Sequence, residues 1–149
     1  MLTEPERAFL TATRRAVLAT IRPDGRPRLV PICFVLDPAR AVLYMPLDDK
    51  PKRDDDPLAL ARVRDIAADP RVTVLADRWD ENWSRLAWLR IDGRAALVAP
   101  GAPGHTAVVE ALRAKYPPYR SHRLETRPVI AITVEHTAGW GALGPDGAP

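Results

Sequence analysis

The chain has 149 residues, with 22 lysines and arginines against 19 aspartates and glutamates, and a formal net charge of +3. This length fits one domain with a single hydrophobic core, and the small positive excess, spread along the chain, gives little support to nucleic-acid binding. The single cysteine excludes an internal disulfide, and three scattered histidines lack the spacing of a zinc or haem site, so we predict no metal site.

No apolar run in the sequence approaches the length of a membrane span. The first residues, Met-Leu-Thr-Glu-Pro-Glu, lack the basic and apolar regions of a signal peptide. A lone cysteine also fits a reducing compartment. We therefore expect a cytoplasmic protein with no membrane partner and no nucleic-acid partner.

The first half of the chain indicates a helix followed by three strands. A capping-box pattern with a proline in the first turn predicts a helix over residues 4–13. Two β-prone runs, 16–21 and 28–36, flank a segment at 22–27 whose proline, aspartate and glycine are typical of a tight turn. A third strand is expected at 41–45, which completes an antiparallel meander.

In the second half of the chain, the predicted helices and strands follow each other in a less regular order. Apolar residues at helical spacing predict a helix over 57–68, which ends before an Asp-Pro pair. Strands are expected at 72–76, at 86–98 with a bulge at its central glycine, and at 129–134. A further helix is predicted over 103–115, before two prolines.

This order of elements excludes a regular alternation of strand and helix, so we do not expect a parallel doubly wound sheet. We predict a mainly β domain with flanking helices over residues 1–140, built on a small six-stranded antiparallel barrel. Residues 141–149 are expected to form a flexible C-terminal tail, although glycine and proline there also suit an ordered lid. Because a small barrel has no room for a cofactor, any sizeable ligand would lie outside it, in a groove completed by a second subunit.

Two of the chain's three lysines, Lys50 and Lys52, lie close together after the third predicted strand, in the segment DDKPKR at 48–53. A lysine ammonium is a compact charge suited to phosphate, and Pro51 stiffens the backbone so that both ammonium groups can converge on one anion. The alternative is a solvated loop, because neighbouring aspartates dilute the positive field. The cluster is a candidate phosphate site.

Several segments resemble a known family. Leu-Ala-Thr at 18–20, Asp-Gly-Arg-Pro at 24–27 and Val-Pro-Ile-Cys-Phe at 30–34 resemble the opening of the pyridoxamine-phosphate-oxidase-like split β-barrel superfamily. DKPK at 49–52, DPRV at 69–72 and WSRLAWLRIDGRA at 83–95 resemble its actinobacterial branch that uses the deazaflavin coenzyme F420. The arginine-rich, lysine-poor composition is compatible with an actinobacterial source.

The resemblance implies a homodimer of FMN-binding-type split barrels with two cofactor sites at the subunit interface. Lys50 and Lys52 match the phosphate-binding position of the family, and Arg53 is expected to assist them. The second strand would run beside the cofactor ring with the backbone of Val30, Pro31 and Ile32. A proline within a strand marks an open sheet edge where a ligand can approach, although it also suits an ordinary edge strand.

Large flat side chains near the fifth strand and the chain end are further candidates. Trp83 and Trp140 are expected to contact the ring or the interface, because indole faces stack on flavin-type rings and relatives use these regions. A cation at Arg85 can stabilise negative charge on a reduced cofactor. The alternative for Arg85 is an exposed ion pair with Asp80 or Glu81.

The sequence departs from the family at two places. Residues 45–47, Met-Pro-Leu, stand where many relatives place a serine or threonine against the phosphate. Asp65 stands where relatives commonly show asparagine, and an anion near a phosphate is unfavourable unless it pairs with Arg62 or Arg64. Phosphate binding is therefore expected to depend more on the two lysines.

A flavin or deazaflavin carries the reactive chemistry itself, so we predict no catalytic side chain. The resemblance implies an F420-dependent oxidoreductase that transfers a hydride between the deazaflavin and a small organic acceptor, such as a quinone or an activated double bond. FMN is the alternative cofactor, because both present a ribityl phosphate to the same basic residues. A non-catalytic protein that stores F420 or flavin is a second alternative.

Overall fold

The computed structural model describes residues 1–48 and 56–144 of the chain. The helices are α1 (Glu4–Ala12), α2 (Ala61–Ala68) and α3 (His105–Lys115). The strands are β1 (Ala16–Ile21), β2 (Pro27–Ile32), β3 (Val35–Asp37), β4 (Val42–Pro46), β5 (Arg71–Arg78), β6 (Ala87–Val98) and β7 (Val129–Gly141). Short 3-10 turns occupy Pro57–Ala59, Trp83–Arg85, Pro117–Ser121 and Leu124–Thr126.

The seven strands form one antiparallel sheet in the order β2-β1-β5-β6-β7-β4-β3. Its two end strands, β2 and β3, are consecutive in the chain and are separated only by Cys33 and Phe34. The sheet therefore curls into a barrel that is split between β2 and β3. The predicted fold class, a mainly antiparallel split barrel with flanking helices, is confirmed.

The strand count is seven rather than the predicted six because the run at 28–36 is interrupted. The Tyr116 hydroxyl accepts a hydrogen bond from the Phe34 N–H (3.1 Å) and lies 3.0 Å from the Phe34 carbonyl oxygen. A side chain thus satisfies the Phe34 N–H, which a neighbouring strand would otherwise use. The same hydroxyl donates to the Arg14 carbonyl oxygen (2.8 Å), which ties the break to the start of β1.

The long β6–β7 pair also departs from the sequence prediction. β7 was expected to end at residue 134 but continues to Gly141, which pairs with Ala87 at the start of β6. The predicted bulge is confirmed, since the register of this pair shifts between Asp92 and Gly93. A Cβ atom at Gly93 would lie 2.3 Å from the Thr133 carbonyl oxygen, so only glycine fits there.

The helices follow the sequence signals with small shifts at their ends. The predicted capping box is present, with the Thr3 N–H donating to the Glu6 carboxylate (2.7 Å) and the Glu6 N–H to the Thr3 hydroxyl (3.4 Å). The helix predicted over 57–68 is divided, because Leu60 adopts extended backbone angles (φ −61°, ψ 136°) between the 3-10 turn and α2. This extended residue sets where α2 begins.

Two hydrophobic clusters stabilise the domain. The larger fills the barrel and takes in α1 and α2, with Phe9, Leu18, Leu43, Val63, Ile66, Leu89, Ile91 and Ile132 among its members. The smaller lies around α3, with Val35, Val109, Leu112, Tyr119, Leu124 and Val129 among its members. On the outside of the sheet, Leu29, Leu75 and Trp140 stay 65%, 41% and 55% exposed.

Candidate functional site

One face of the sheet presents apolar side chains to solvent. Strand pairing aligns Pro31, Val17, Leu75, Arg90 and Ala138 in a row across five strands, and directly opposed residues share a face. With their neighbours two positions along, including Leu29, Trp88 and Trp140, they form what we call the outer sheet face. Exposed apolar side chains grouped on one face are typical of an interaction surface.

The open edge of β2 borders the outer sheet face. Within the part of the chain that the structure describes, β2 pairs only with β1, with Pro31 opposite Val17. Pro31 is exposed, Val30 is half-buried and Ile32 is buried. Pro31 thus lies on an edge strand, the part of a sheet where proline is tolerated. The contact between this backbone and a cofactor ring stays a prediction.

The end of β4 leads into a buried polar cluster. The Asp48 carboxylate accepts a hydrogen bond from the Tyr119 hydroxyl (2.9 Å), and the Asp48 carbonyl oxygen accepts one from Nη1 of Arg127 (3.2 Å). The Arg127 carbonyl oxygen lies 2.7 Å from Nε2 of His105. Burial raises the pKa of Tyr119, so its hydroxyl stays protonated and acts as a donor. The exit of β4 is therefore firmly anchored.

Arg62 on α2 faces this cluster but is not part of its hydrogen bonding. Its Nε is buried and has no hydrogen-bond partner among the described residues. Burial lowers the pKa of Arg62, while the negative charge of Asp48 acts in the opposite direction. A buried guanidinium with an unpaired donor is costly unless an anion accepts from it. A phosphate oxygen has the chemistry to satisfy this donor.

Asp65, one turn further along α2, is fully paired. Its Oδ2 accepts hydrogen bonds from the Thr20 hydroxyl (2.7 Å) and from Nε of Arg28 (2.7 Å). Asp65 is thus paired, as the sequence required, but its partner is Arg28, which β2 brings to this carboxylate, rather than Arg62 or Arg64. Burial alone would raise the pKa of Asp65, but the hydrogen bonds from Arg28 and Thr20 hold it below its usual value.

The predicted phosphate-binding residues Lys50, Lys52 and Arg53 lie outside the described residues, so their role stays a prediction. Asp48 and Asp56 are the described residues on either side of this segment. In residues 1–48 and 56–144, no group of histidine, cysteine, aspartate and glutamate side chains is arranged to hold a metal ion. No helix in the same ranges is long and apolar enough to cross a membrane.

The two candidate tryptophans lie at the same end of the sheet. Trp140 is directly opposite Trp88 in the β6–β7 pair and so belongs to the outer sheet face. Trp83 begins the 3-10 turn that leads into β6 and is 70% exposed. Nε of Arg85 lies 3.2 Å from Oδ2 of Asp80, so the ion pair considered as its alternative role is present. Stacking of the tryptophans on a ring stays a prediction.

Sequence reasoning missed the cluster around Asp48 as a candidate site. Tyr119 and Arg127 are 71 and 79 residues away from Asp48 in the chain, so no local pattern connects them. Arg62 was considered only as a partner of Asp65. The only available signal was that Arg62 lies in the helix predicted to follow the lysine cluster.

Solved structures with the same fold were found. A conserved hypothetical protein of Mycobacterium tuberculosis is 21% identical, with a TM-score of 0.73, over 95% of this chain and 86% of that one. A protein named F420 reductase is 21% identical, with a TM-score of 0.65, over 92% and 98% of the two chains. A FAD-binding protein of Mesorhizobium loti is 24% identical, with a TM-score of 0.60, over 88% and 86%.

These similarities establish the split-barrel fold of the chain, and they agree with the segments of sequence that suggested it. A model of the pyridoxamine 5'-phosphate oxidase family matches residues 2–141, which is nearly the whole chain. The match takes in the strands of the barrel, the segment that holds the two lysines, and α2. The chain therefore belongs to the pyridoxamine 5'-phosphate oxidase family.

Proposed function

We propose that this protein is a homodimeric oxidoreductase that binds coenzyme F420 and transfers a hydride between its deazaflavin and a small organic acceptor, such as a quinone or an activated double bond. The observation that carries this proposal is the buried guanidinium of Arg62, whose Nε has no hydrogen-bond partner among the described residues. Arg62 is thus a buried cation with an unsatisfied donor in the part of the chain that the structure describes.

Arg62 would hold the cofactor phosphate. A guanidinium offers donors in a planar fork that matches phosphate oxygens, and charge-assisted hydrogen bonds of this kind are stronger than neutral ones. The neighbouring cluster keeps its own groups occupied, since Asp48 already accepts from Tyr119 and Arg127. Lys50 and Lys52 would add positive charge to the same phosphate.

The outer sheet face would hold the ring. Pro31, Leu75 and Trp140 present exposed apolar surface on which a flat ring can lie. When bound, a deazaflavin supplies the hydride chemistry. The residues of this chain would then orient the ring, exclude water from one of its faces and leave the other open to the acceptor. Arg85 would place a cation near a reduced, negatively charged ring.

A second copy of the chain would complete the groove. The apolar side chains of the outer sheet face, such as Leu29 and Leu75, are more exposed than is usual for residues of their kind on central and edge strands. Pairing of two such faces would remove this surface from water. We therefore expect Leu75→Glu to convert a dimer into a monomer in analytical ultracentrifugation, while Leu58→Glu, at an exposed leucine in a 3-10 turn, leaves the dimer intact.

Similarity to a protein named F420 reductase supports the choice of cofactor. A flavin is the second candidate, and it is favoured by the similarity to a FAD-binding protein. Both candidates use the same phosphate and ring contacts. An F420 enzyme and a flavin enzyme are distinguished by which cofactor the protein binds more tightly. A storage protein is distinguished from both because it shows no turnover.

The test is a titration of purified apoprotein with F420 and, separately, with FMN, followed by fluorescence and absorbance. We expect F420 to bind more tightly, and Arg62→Met to weaken its binding by about tenfold to a hundredfold because charge-assisted hydrogen bonds are lost. Arg64→Met is the matched control, since Arg64 is an exposed arginine on the same helix. Lys50→Ala combined with Lys52→Ala should also weaken binding.

Turnover is then tested with reduced F420 and a panel of quinones and activated alkenes. Oxidation of the deazaflavin that depends on both enzyme and acceptor supports the oxidoreductase. Tight binding without turnover of any acceptor would favour storage, and tighter binding of FMN would favour a flavin enzyme. If neither cofactor binds, the proposed function is wrong.

A further inference from the structure

We propose that a pocket between α3 and the β3–β4 hairpin, which we call the α3 pocket, binds a small aromatic carboxylate. The α3 pocket has a volume of about 270 Å³, and all of its lining residues lie in the described part of the chain. Pockets for drug-sized ligands measure about 300–1,000 Å³, so this one suits a molecule with a single ring. It shares no lining residue with the cluster around Asp48 or with the row of the outer sheet face, so this inference goes beyond the proposed function.

The α3 pocket is open because α3 presents small residues to the hairpin. Gly104, Ala107 and Ala111 line it at intervals of three and four residues, which places them on one face of the helix. Val35 and Val108, which are buried, also line it. A ring that enters the pocket therefore removes apolar surface from water, and a larger side chain on this face of α3 would take its place.

Tyr44 on β4 lines the α3 pocket with an aromatic ring and a hydroxyl group. It is half-buried and packs against the smaller hydrophobic cluster. In residues 1–48 and 56–144, no hydrogen bond is seen for the Tyr44 hydroxyl. A flat ring can pack against the tyrosine ring in an offset or edge-to-face arrangement. The hydroxyl can then donate to an oxygen atom of the ligand.

Arg40, in the turn of the hairpin, brings a positive charge to the α3 pocket. Its side chain is 73% exposed, and its Nε lies 3.9 Å from Oδ2 of Asp37, which is beyond hydrogen-bond distance. Oδ1 of Asp37 already accepts from the N–H groups of Ala39 (3.1 Å) and Arg40 (3.2 Å). The guanidinium and the Tyr44 hydroxyl thus keep donors that a carboxylate can accept, with a charge that favours an anion over an amine.

The first test compares three probes of similar size, which are benzoate, benzyl alcohol and benzylamine. Ligand-observed NMR measures their affinities, and amide shifts of the ¹⁵N-labelled protein locate them. We expect benzoate to bind about tenfold more tightly than benzylamine, because Arg40 attracts a carboxylate and repels an ammonium group. The shifts caused by benzoate should centre on Ala107 and Ala111.

Variants then separate the apolar contact from the charge. Ala107→Leu fills the α3 pocket and should weaken benzoate at least about tenfold, whereas Ala114→Leu, at an exposed alanine of α3 outside the pocket, should leave its affinity within about twofold. Arg40→Met should weaken benzoate about fivefold and leave benzyl alcohol within about twofold. Arg26→Met is the matched control for Arg40→Met, since Arg26 is an exposed arginine in the turn between β1 and β2.

Circular dichroism confirms the folding of each variant, and the comparison of probes on wild-type protein does not depend on any variant. No benzoate binding at about 10 mM would overturn the inference. Benzylamine binding as tightly as benzoate, or benzoate affinity that survives Ala107→Leu, would overturn it as well. The titrations with F420 and FMN test the proposed function separately, because they depend on Arg62 and the outer sheet face.

Discussion

Arg28 on β2 and Arg62 on α2 are two partly buried arginines, and they differ in whether an acceptor is present for the hydrogen bond of their Nε. Nε of Arg28 donates to the buried Asp65 carboxylate at 2.7 Å. Nε of Arg62 is buried without any hydrogen-bond partner among the described residues. We therefore assign the first guanidinium to the stability of the fold, and the proposed function assigns the second to a ligand.

Breaking the ion pair between Arg28 and Asp65 should have the largest effect on stability. Arg28→Met should lower the free energy of unfolding by about 2–3 kcal/mol, because it leaves the buried Asp65 charge without its cation. Urea unfolding followed by circular dichroism measures this change. A loss below about 0.5 kcal/mol would show that Arg28 and Asp65 do not form a structural pair.

Arg62→Met should affect cofactor binding rather than stability. Removing a buried guanidinium whose Nε donor is unsatisfied should change the free energy of unfolding of the apoprotein by no more than about 1 kcal/mol, because relief of burial offsets the lost attraction to Asp48. The same variant should bind F420 about tenfold to a hundredfold more weakly. Unfolding and titration on one preparation give both values. A variant that loses stability yet keeps its affinity would assign Arg62 to the fold and contradict the comparison.

The pH dependence of stability tests whether the ionised Asp65 carboxylate stabilises the fold. The pKa of Asp65 is lower in the folded protein than in the unfolded chain, so its stabilising contribution is complete above the unfolded value of about 3.9. The contribution is lost as pH falls through the folded pKa. Wild type should therefore be more stable than Asp65→Asn at pH 7, and the difference should shrink at pH 3. Urea unfolding at both pH values tests this, and a constant difference would argue against the ionised pair.

The smallest expected effect is at Arg64, the exposed arginine between Arg62 and Asp65 on α2. Arg64→Met should change the free energy of unfolding by less than about 0.5 kcal/mol and leave F420 affinity within about twofold. The unfolding and titration measurements used for Arg62 apply without change. Equal effects at Arg62 and Arg64 would mean that helix charge in general, rather than one buried group, governs binding.

Local signals in the sequence predicted much of the barrel. The turn at 22–27 forms as expected, with Gly25 at φ 82° and its N–H donating to the Arg22 carbonyl oxygen (2.9 Å). The capping box at Thr3 and the bulge at Gly93 also formed where the pattern indicated. The turn and the capping box depend on residues close together in the chain, and the bulge was signalled by a glycine inside a β-prone run, which explains why the sequence was enough.

Features set by distant residues could not be predicted. The break between β2 and β3 depends on Tyr116, which is 82 residues away from Phe34. The partner of Asp65 is Arg28, 37 residues away on β2, rather than an arginine on its own helix. The extension of β7 depends on pairing with the full length of β6. Sequence patterns report local conformation, whereas these contacts exist only once the sheet has curled.

The most direct test of the central claim is a crystal structure of the protein with F420 bound. The account predicts a symmetric dimer in which the F420 phosphate lies within hydrogen-bond distance of Nε of Arg62 and the deazaflavin ring lies against the outer sheet face beside Pro31. A cofactor bound elsewhere, with Arg62 still unpaired and the outer sheet face facing solvent, would contradict it.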